Sequence, residues 1–271
     1  MPELPEVETT RLGLMPHLVG RTILDLVVRE PRLRWPISTG LSGELRGTLI
    51  MGITRRAKYL LIDCGTGHLI VHLGMSGSLR LVDPDVTPGK HDHYDLLTDA
   101  GRAVRFTDPR RFGSLHWTQE APDQHPLLAK LGPEPLSDLF NGEWLYNATR
   151  NRRVSIKQFV MDQHQLVGVG NIYANESLFR AGIHPHIPAA RVGLKRCEAL
   201  VAAIKHTLNL ALKAGGSTLR DFVNSDGEPG SFQLSYRVYD RTGKPCFRCR
   251  QTIREIRQGQ RGTFYCATCQ R

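Results

Sequence analysis

The chain opens MPELPE, with a proline directly behind the initiator methionine and carboxylates at positions 3 and 6. With Met1 removed, which a small second residue allows, the Pro2 nitrogen becomes a secondary α-amine. Such an amine titrates at about pH 8, well below a lysine. The positive end of a following helix lowers that value further. Pro2 is then a usable nucleophile at neutral pH. With a sugar C1′ or an aldehyde it would form an iminium ion, an electron sink for later elimination. Glu3 lies alongside as a general acid, and Glu6, one turn on, is placed to orient or tune the amine. The same three residues also fit ordinary helix-start chemistry, a proline in the first turn and acids complementing the dipole.

A second constellation closes the chain. Cys246, Cys249, Cys266 and Cys269 read C-x2-C-x16-C-x2-C. Each pair can place two thiolates on one tetrahedral centre, so the two pairs make a closed four-thiolate site for one structural zinc ion. Disulfides are the alternative, disfavoured in a chain that reads as cytosolic. A closed site leaves no position for water, so this zinc is structural rather than catalytic. The residues between the pairs read as a hairpin whose returning strand contains Thr263–Tyr265 and which carries Arg254, Arg257 and Arg261. Cys64 and Cys197 stand alone among apolar neighbours and read as buried thiols.

These residues need elements to hold them. A helix is expected over 5–15, begun by Pro5 and stopped by Pro16. From about Thr22 to Trp117, short apolar runs (TILDLVV, YLLIDCG, HLIVHLGM, SLRLV, HYDLLTD, AVRFTDP) alternate with Gly, Pro and Asp, which predicts a sandwich or barrel-like sheet pair. LGPEPLSD, residues 131–138, reads as a linker. Helices follow. Ser155 and Gln158 have capping-box spacing ahead of FVM, and NIYANESLFRAG reads as a helix ending at Gly182. The run LKRCEALVAAIKHTLNLALKAGG places Leu194, Cys197, Val201, Ile204, Leu208 and Ala211 on one face. An irregular stretch over about 217–235 is long enough to suggest a functional loop.

Length and composition bound the class. The 271 residues, 40% hydrophobic and 23% charged, fit a globular protein of one large or two ordinary domains. No apolar run reaches the roughly 18 residues of a membrane span, and the N-terminus lacks a signal-peptide pattern, so the expected location is the cytoplasm. Net charge is +10. Residues 237–271 hold nine Lys/Arg against two acids, a net of +7. So localised a basic footprint favours a polyanion partner, although a solvated charged face gives the same count.

PELPEVETT at the start, RRAKYLL (55–61), HLGMSGSL (72–79), FTDPRRFGS (106–114), VGVGNIYANESLF (167–179) and the four-cysteine finger occur in this order along essentially the whole chain. Together they resemble the bacterial formamidopyrimidine-DNA glycosylases, also called 8-oxoguanine DNA glycosylases. The resemblance implies an α+β fold: an N-terminal β-sandwich lobe with a flanking helix, then a C-terminal helical lobe with a helix–two-turn–helix motif and a zinc-finger hairpin. On this chain the divisions fall at 1–130, 131–138 as linker, 139–235 with the lesion-covering loop, and 236–271 for the finger. DNA would lie in the cleft between the lobes. The implied partner is double-stranded DNA carrying oxidised purines or abasic sites, bound by a monomer with no membrane association, nucleoid-associated when on DNA.

By the same resemblance Pro2 attacks C1′ of a nucleotide flipped from the duplex. Glu3 donates a proton, Lys58 assists β-elimination, and Arg261 serves δ-elimination and phosphate contact. His91, Arg110, Arg152 and Asn171 match DNA-contacting positions, though TRNRRVS offers Arg152 neighbours that could take its register. Met75, Arg110 and Phe112 match the wedge that fills the gap left by an extruded base. Ser217, Thr218, Leu219 and Arg220, in a loop reaching Phe222, match the segment that reads the lesion. Plainer readings stand beside these: a solvated lysine at a strand start for Lys58, core packing for Met75 and Phe112, and a glycine joint between helices for Gly168 and Gly170. His91 and His93 form an H-x-H pair without an evident third ligand, so no metal is expected there. Two other functions share much of the pattern: an endonuclease VIII-type glycosylase for oxidised pyrimidines, and a non-catalytic zinc-dependent DNA-binding protein.

Overall fold

The computed structural model describes residues 2–217, 227 and 230–271. The chain gathers into two units. One comprises Met1–Ala129 and Ala214–Ser231, the other Lys130–Lys213 and Phe232–Arg271. The segment Ala214–Ser231 groups with the first unit rather than with the helices before it. Its anchors explain why: Ser217 N–H donates to Glu6 Oε1 at 2.7 Å, Ser231 N–H donates to the Ala214 carbonyl at 3.0 Å, and Ser217 and Ser231 form an antiparallel bridge. The cysteine-bearing hairpin does not separate as a unit of its own but belongs to the second.

The first unit opens with α1 (Leu4–Leu18), which buries Leu4, Val7, Leu14 and Leu18. Pro16 does not stop it. A proline inside a helix loses its own bond back to residue 12 and crowds that carbonyl, but Leu18, 1% exposed, keeps the last turn on the core. Val19 N–H closes that turn on Met15 at 3.1 Å. After β1 (Ile23–Val28) and a short α2 (Leu41–Leu45) come β2 (Gly52–Arg56), β3 (Tyr59–Asp63), β4 (His68–His72), β5 (Ser78–Val82), β6 (Asp92–Thr98), β7 (Ala103–Thr107) and β8 (Ser114–Thr118). They form two antiparallel four-stranded sheets, ordered β1-β6-β7-β5 and β2-β3-β4-β8. One core runs through both sheets and α1, including Val7, Leu14, Leu26, Leu60, Ile62, Val71, Leu79, Leu96 and Leu115. Tyr94 and Phe106 stack within it at 4.9 Å. The expected sheet pair is therefore a sandwich.

In the second unit, residues 131–138 hold no helix or strand. Then follow α3 (Gly142–Thr149), α4 (Ile156–Met161), α5 (Asn171–Ala181) and α6 (Leu194–Lys213). Asn141 caps α3 by accepting from Trp144 N–H at 2.9 Å, and Ser155 caps α4 through Gln158 N–H at 3.3 Å. The α5 helix ends at Gly182, as its sequence indicates. The α6 face Cys197, Val201, Ile204, Leu208 and Ala211 is buried, but Leu194 is 43% exposed. It opens the helix, ahead of the turns that pack. Finally β9 (Arg254–Gln258) pairs antiparallel with β10 (Arg261–Tyr265). Cys64 and Cys197 are buried, as expected.

Candidate active site

Pro2 and Glu3 are both buried, immediately ahead of α1. Glu3 is the residue that begins the helix, and its N–H donates to Glu6 Oε2 at 2.8 Å. The other Glu6 oxygen accepts the Ser217 N–H. One carboxylate, 2% exposed, thus ties the start of α1 to the start of the 217–222 loop. Gly216 makes that approach possible: its φ is +82°, and a Cβ there would lie 3.0 Å from Glu6 Oε1. The Ser217 hydroxyl is buried without a hydrogen-bond partner among the described residues. Met1, Thr218, Leu219, Arg220 and Phe222 lie outside the described residues.

Lys58 is only 4% exposed, which overturns its reading as a solvated strand-start lysine. It sits in the two-residue turn joining β2 and β3, where Arg56 pairs with Tyr59 and Ala57 adopts φ +55°. Tight hairpin turns take such positive φ values. The turn is fixed to α1 through Arg55, which donates to Glu8 Oε2 at 2.9 Å and to the Ala57 carbonyl at 2.9 Å. Arg11 also holds Glu8, at 2.7 Å. Burial raises the Glu8 pKa, and the two guanidiniums more than reverse this, leaving it below the ordinary value. Thus the helix that follows Pro2 and Glu3 and the turn carrying Lys58 are clamped by one Arg–Glu–Arg cluster.

A third group forms around Asp108. Its carboxylate accepts from Ser76 Oγ at 2.6 Å, from Arg110 N–H at 3.2 Å and from Gly113 N–H at 2.8 Å. Its own N–H donates to the His91 carbonyl at 2.9 Å. The His93 ring bonds its carbonyl at 2.7 Å. Gly74, at φ +69°, lets the β4–β5 loop press against the Phe112–Gly113 backbone, where a Cβ would come within 2.4 Å. Met75, His91, Arg110 and Phe112 are thereby brought to one region. Met75 is 38% and Phe112 43% exposed, so neither is core. The Arg110 guanidinium lies 4.9 Å over the Phe112 ring.

In the second unit, Asn171 is the first residue of α5, and its side chain donates to the Gly262 carbonyl at 3.0 Å. Lys157 Nζ donates to the same carbonyl at 3.0 Å and to Thr263 Oγ1 at 2.7 Å. Asn175 Oδ1 accepts Phe264 N–H at 2.8 Å. Three polar side chains therefore fix β10, which exposed Arg261 opens, after a turn with Gln260 at φ +62°. This anchoring uses one bond of the Asn171 side-chain amide. Lys157 and Asn175 are supports of β10 that the sequence reading missed. A lysine beside Ile156, Phe159 and Val160 in the short run IKQFVM was the available signal. Arg152 lies exposed beside Arg153 and Arg191 around a separate pocket, away from any described hairpin contact.

The four cysteine sulfurs lie within 4.8 Å of one another, unpaired as disulfides. Cys249 and Cys266 Sγ are 3.4 Å apart and Cys246 and Cys269 Sγ 3.9 Å. A tetrahedron of zinc–sulfur bonds of about 2.3 Å has edges of about 3.8 Å, so the donor set fits zinc. The Gln251 N–H leads the effects that hold the Cys249 thiol down to about 7.

The chain combines a β-sandwich unit with helices and a four-thiolate finger. Family models for the formamidopyrimidine-DNA glycosylase N-terminal domain, its H2TH domain and the zinc finger found in FPG and IleRS match residues 1–115, 131–223 and 243–271. The formamidopyrimidine-DNA glycosylase of Alcanivorax borkumensis is 55% identical over the full length of both chains. The crystal structure of the Fpg protein of Thermus thermophilus superposes with a TM-score of 0.89 at 38% identity, covering 99% of this chain and 98% of that one. Lactococcus lactis Fpg, in complexes with Fapy-dG-containing and abasic-site DNA, gives 0.91 at 35% identity with 99% of both chains covered. The chain belongs to the formamidopyrimidine-DNA glycosylase family, DNA glycosylases of base excision repair.

Proposed function

We propose that this protein is a bifunctional DNA glycosylase and abasic-site lyase that removes oxidised purines, 8-oxoguanine and formamidopyrimidines, from double-stranded DNA. With Met1 removed, the Pro2 amine attacks C1′ of the extruded nucleotide. The base departs with the electrons of its glycosidic bond and takes up the proton that the amine gives up, and Glu3 supplies the proton that opens the sugar. The resulting iminium draws electrons from C2′. Loss of the C2′ proton expels the 3′ phosphate with help from Lys58, and a second elimination expels the 5′ phosphate with help from Arg261. Water then releases the enzyme. Zinc, held by Cys246, Cys249, Cys266 and Cys269, stabilises the finger and takes no part in bond making.

The observation that carries this reading is the shared grip of Glu6 on Glu3 N–H and Ser217 N–H. It links the reacting end of the chain to the loop proposed to read the base. Met75, Arg110 and Phe112 supply exposed apolar and planar surface suited to replace lost stacking, while His91, Arg110, Arg152, Asn171 and Arg261 are proposed DNA contacts. The L. lactis complexes with Fapy-dG and abasic DNA support the same substrate class. The enzyme is proposed to act as a cytoplasmic monomer. End-labelled duplexes test this: an 8-oxoguanine duplex should be cut to leave phosphates at both ends of the gap. Preference for an oxidised pyrimidine duplex would instead select the endonuclease VIII-type activity, and binding without cutting would select the non-catalytic reading.

A further inference from the structure

The basic surplus of the last 35 residues is not all on the hairpin. Part of it gathers at the C-terminal end of α5, around a cavity of about 240 Å³ lined by Glu176, Phe179, Arg180, Arg237, Phe247 and Arg248. Arg241 joins this group, its guanidinium 3.8 Å over the Phe247 ring while that of Arg237 lies 5.2 Å over it. Arg248 stacks over Phe179 at 4.5 Å. Two of the four arginines have structural work. Arg241 donates to the Arg237 and Pro245 carbonyls, and Arg248 donates to the Phe179 and Arg180 carbonyls at the end of α5. The other two do not: the side chains of Arg180 and Arg237 make no hydrogen bond or ion pair among the described residues.

Like charges held this close repel. The Arg180 pKa is lowered, first by burial and then by the charges of Arg237 and Arg248, with Glu176 acting the other way. Among the described residues Glu176 is the only carboxylate in the lining, and it is already committed. Its oxygens accept Arg237, Val238 and Tyr239 N–H at 2.9–3.0 Å, and it is 4% exposed. The cluster therefore carries four guanidiniums around a carboxylate already held by backbone donors. An incoming anion would relieve their repulsion.

We propose that this pocket is a second oxyanion site, which takes a phosphate-class group. Guanidinium forks match phosphate oxygens in pairs, and two forks here are unspent. The cavity is below the roughly 300 Å³ of drug-sized sites, so the group is compact. The site is separate from the DNA contact proposed at Asn171, because Arg180 lies nine residues further along α5, about 14 Å at helical rise. Two sources share this chemistry: free phosphate such as pyrophosphate or a nucleotide tail, and the backbone of nucleic acid.

The zinc-loaded full chain should be titrated calorimetrically with inorganic pyrophosphate at fixed ionic strength, as wild type, Arg180→Gln, Arg237→Gln and Arg261→Gln. A saturable binding step should weaken about tenfold in each of the first two variants and persist in Arg261→Gln. Zinc content and thermal midpoint, unchanged in all four, establish that the fold is intact. Wild-type pyrophosphate affinity in both Arg180→Gln and Arg237→Gln would overturn the site. With that weakening in hand, the salt dependence of binding to undamaged duplex identifies the source. A slope reduced by about 0.9 in Arg180→Gln assigns DNA backbone, and an unchanged slope assigns free phosphate.

Discussion

At the scale of single residues, the carboxylate of Glu6 does more than its place in a helix start suggested. Its sequence position predicted a group beside the terminal amine, and the structure shows it holding two backbone N–H groups more than 200 residues apart. Glu6→Gln leaves one oxygen for these two donors and turns an amide NH2 towards the other. A charge-assisted hydrogen bond is worth about 1.5–3 kcal/mol, so excision of 8-oxoguanine should fall at least roughly tenfold, measured by single-turnover kinetics; an unchanged rate would remove Glu6 from the account. His72 gives a second test. Burial first, then the charges of Lys58 and Arg34, hold its pKa down to about 4. The unfolded chain takes up this proton near pH 6.5 and the fold only near 4. Stability is thus fully present above pH 6.5 and is lost as pH falls towards 4, by up to about 3 kcal/mol. Urea melts across this range should show a shallower acid loss in His72→Gln than in wild type. Identical slopes would mean that other groups carry the acid sensitivity.

At the scale of elements, the legible features were those with local causes. The Ser155 cap, the Gly182 stop and the alternation of the strands needed only neighbouring residues. What depended on distant packing was not legible. Pro16 sits inside α1 because Leu18 is held by the core; β2 and β8 escaped separate notice because their sequences, GITRR and SLHWT, are short and half polar. Lys157 is buried only because β10 folds back to offer it a carbonyl and a hydroxyl. The finger was legible as a metal site because four thiolates at this spacing have few other uses, but its anchoring to α5 through Asn171 and Asn175 was not. Binding energy at a four-thiolate site is folding energy. Cys246→Ser should therefore release zinc and unfold the β9–β10 hairpin, lowering DNA affinity while the sandwich unit stays folded. Metal analysis with near-UV circular dichroism checks both halves. One zinc per chain surviving in Cys246→Ser with Cys249→Ser would exclude the four-thiolate site.

At the scale of the molecule, the net charge of +10 resolves into separate groups with separate expected duties. The hairpin arginines are proposed to position DNA without reading it, whereas the 217–222 loop is proposed to read the base. Losing Arg261 should weaken damaged and undamaged duplex alike and flatten the slope of log affinity against log salt by about 0.9. Shortening the loop should reduce 8-oxoguanine excision and spare cleavage at an abasic site, which offers no base to read. Equal loss on both substrates would leave the loop as a general clamp.

The central claim is that the Pro2 amine is the nucleophile, and borohydride reduction during turnover tests it most directly. With Met1 removed, the protein should crosslink to 8-oxoguanine and abasic duplexes, and peptide mapping should place the adduct on Pro2. Pro2→Gly, which keeps a primary amine but loses the ring geometry, should crosslink far less. An adduct mapped to Lys58, or trapping that survives a blocked N-terminus, would contradict the account.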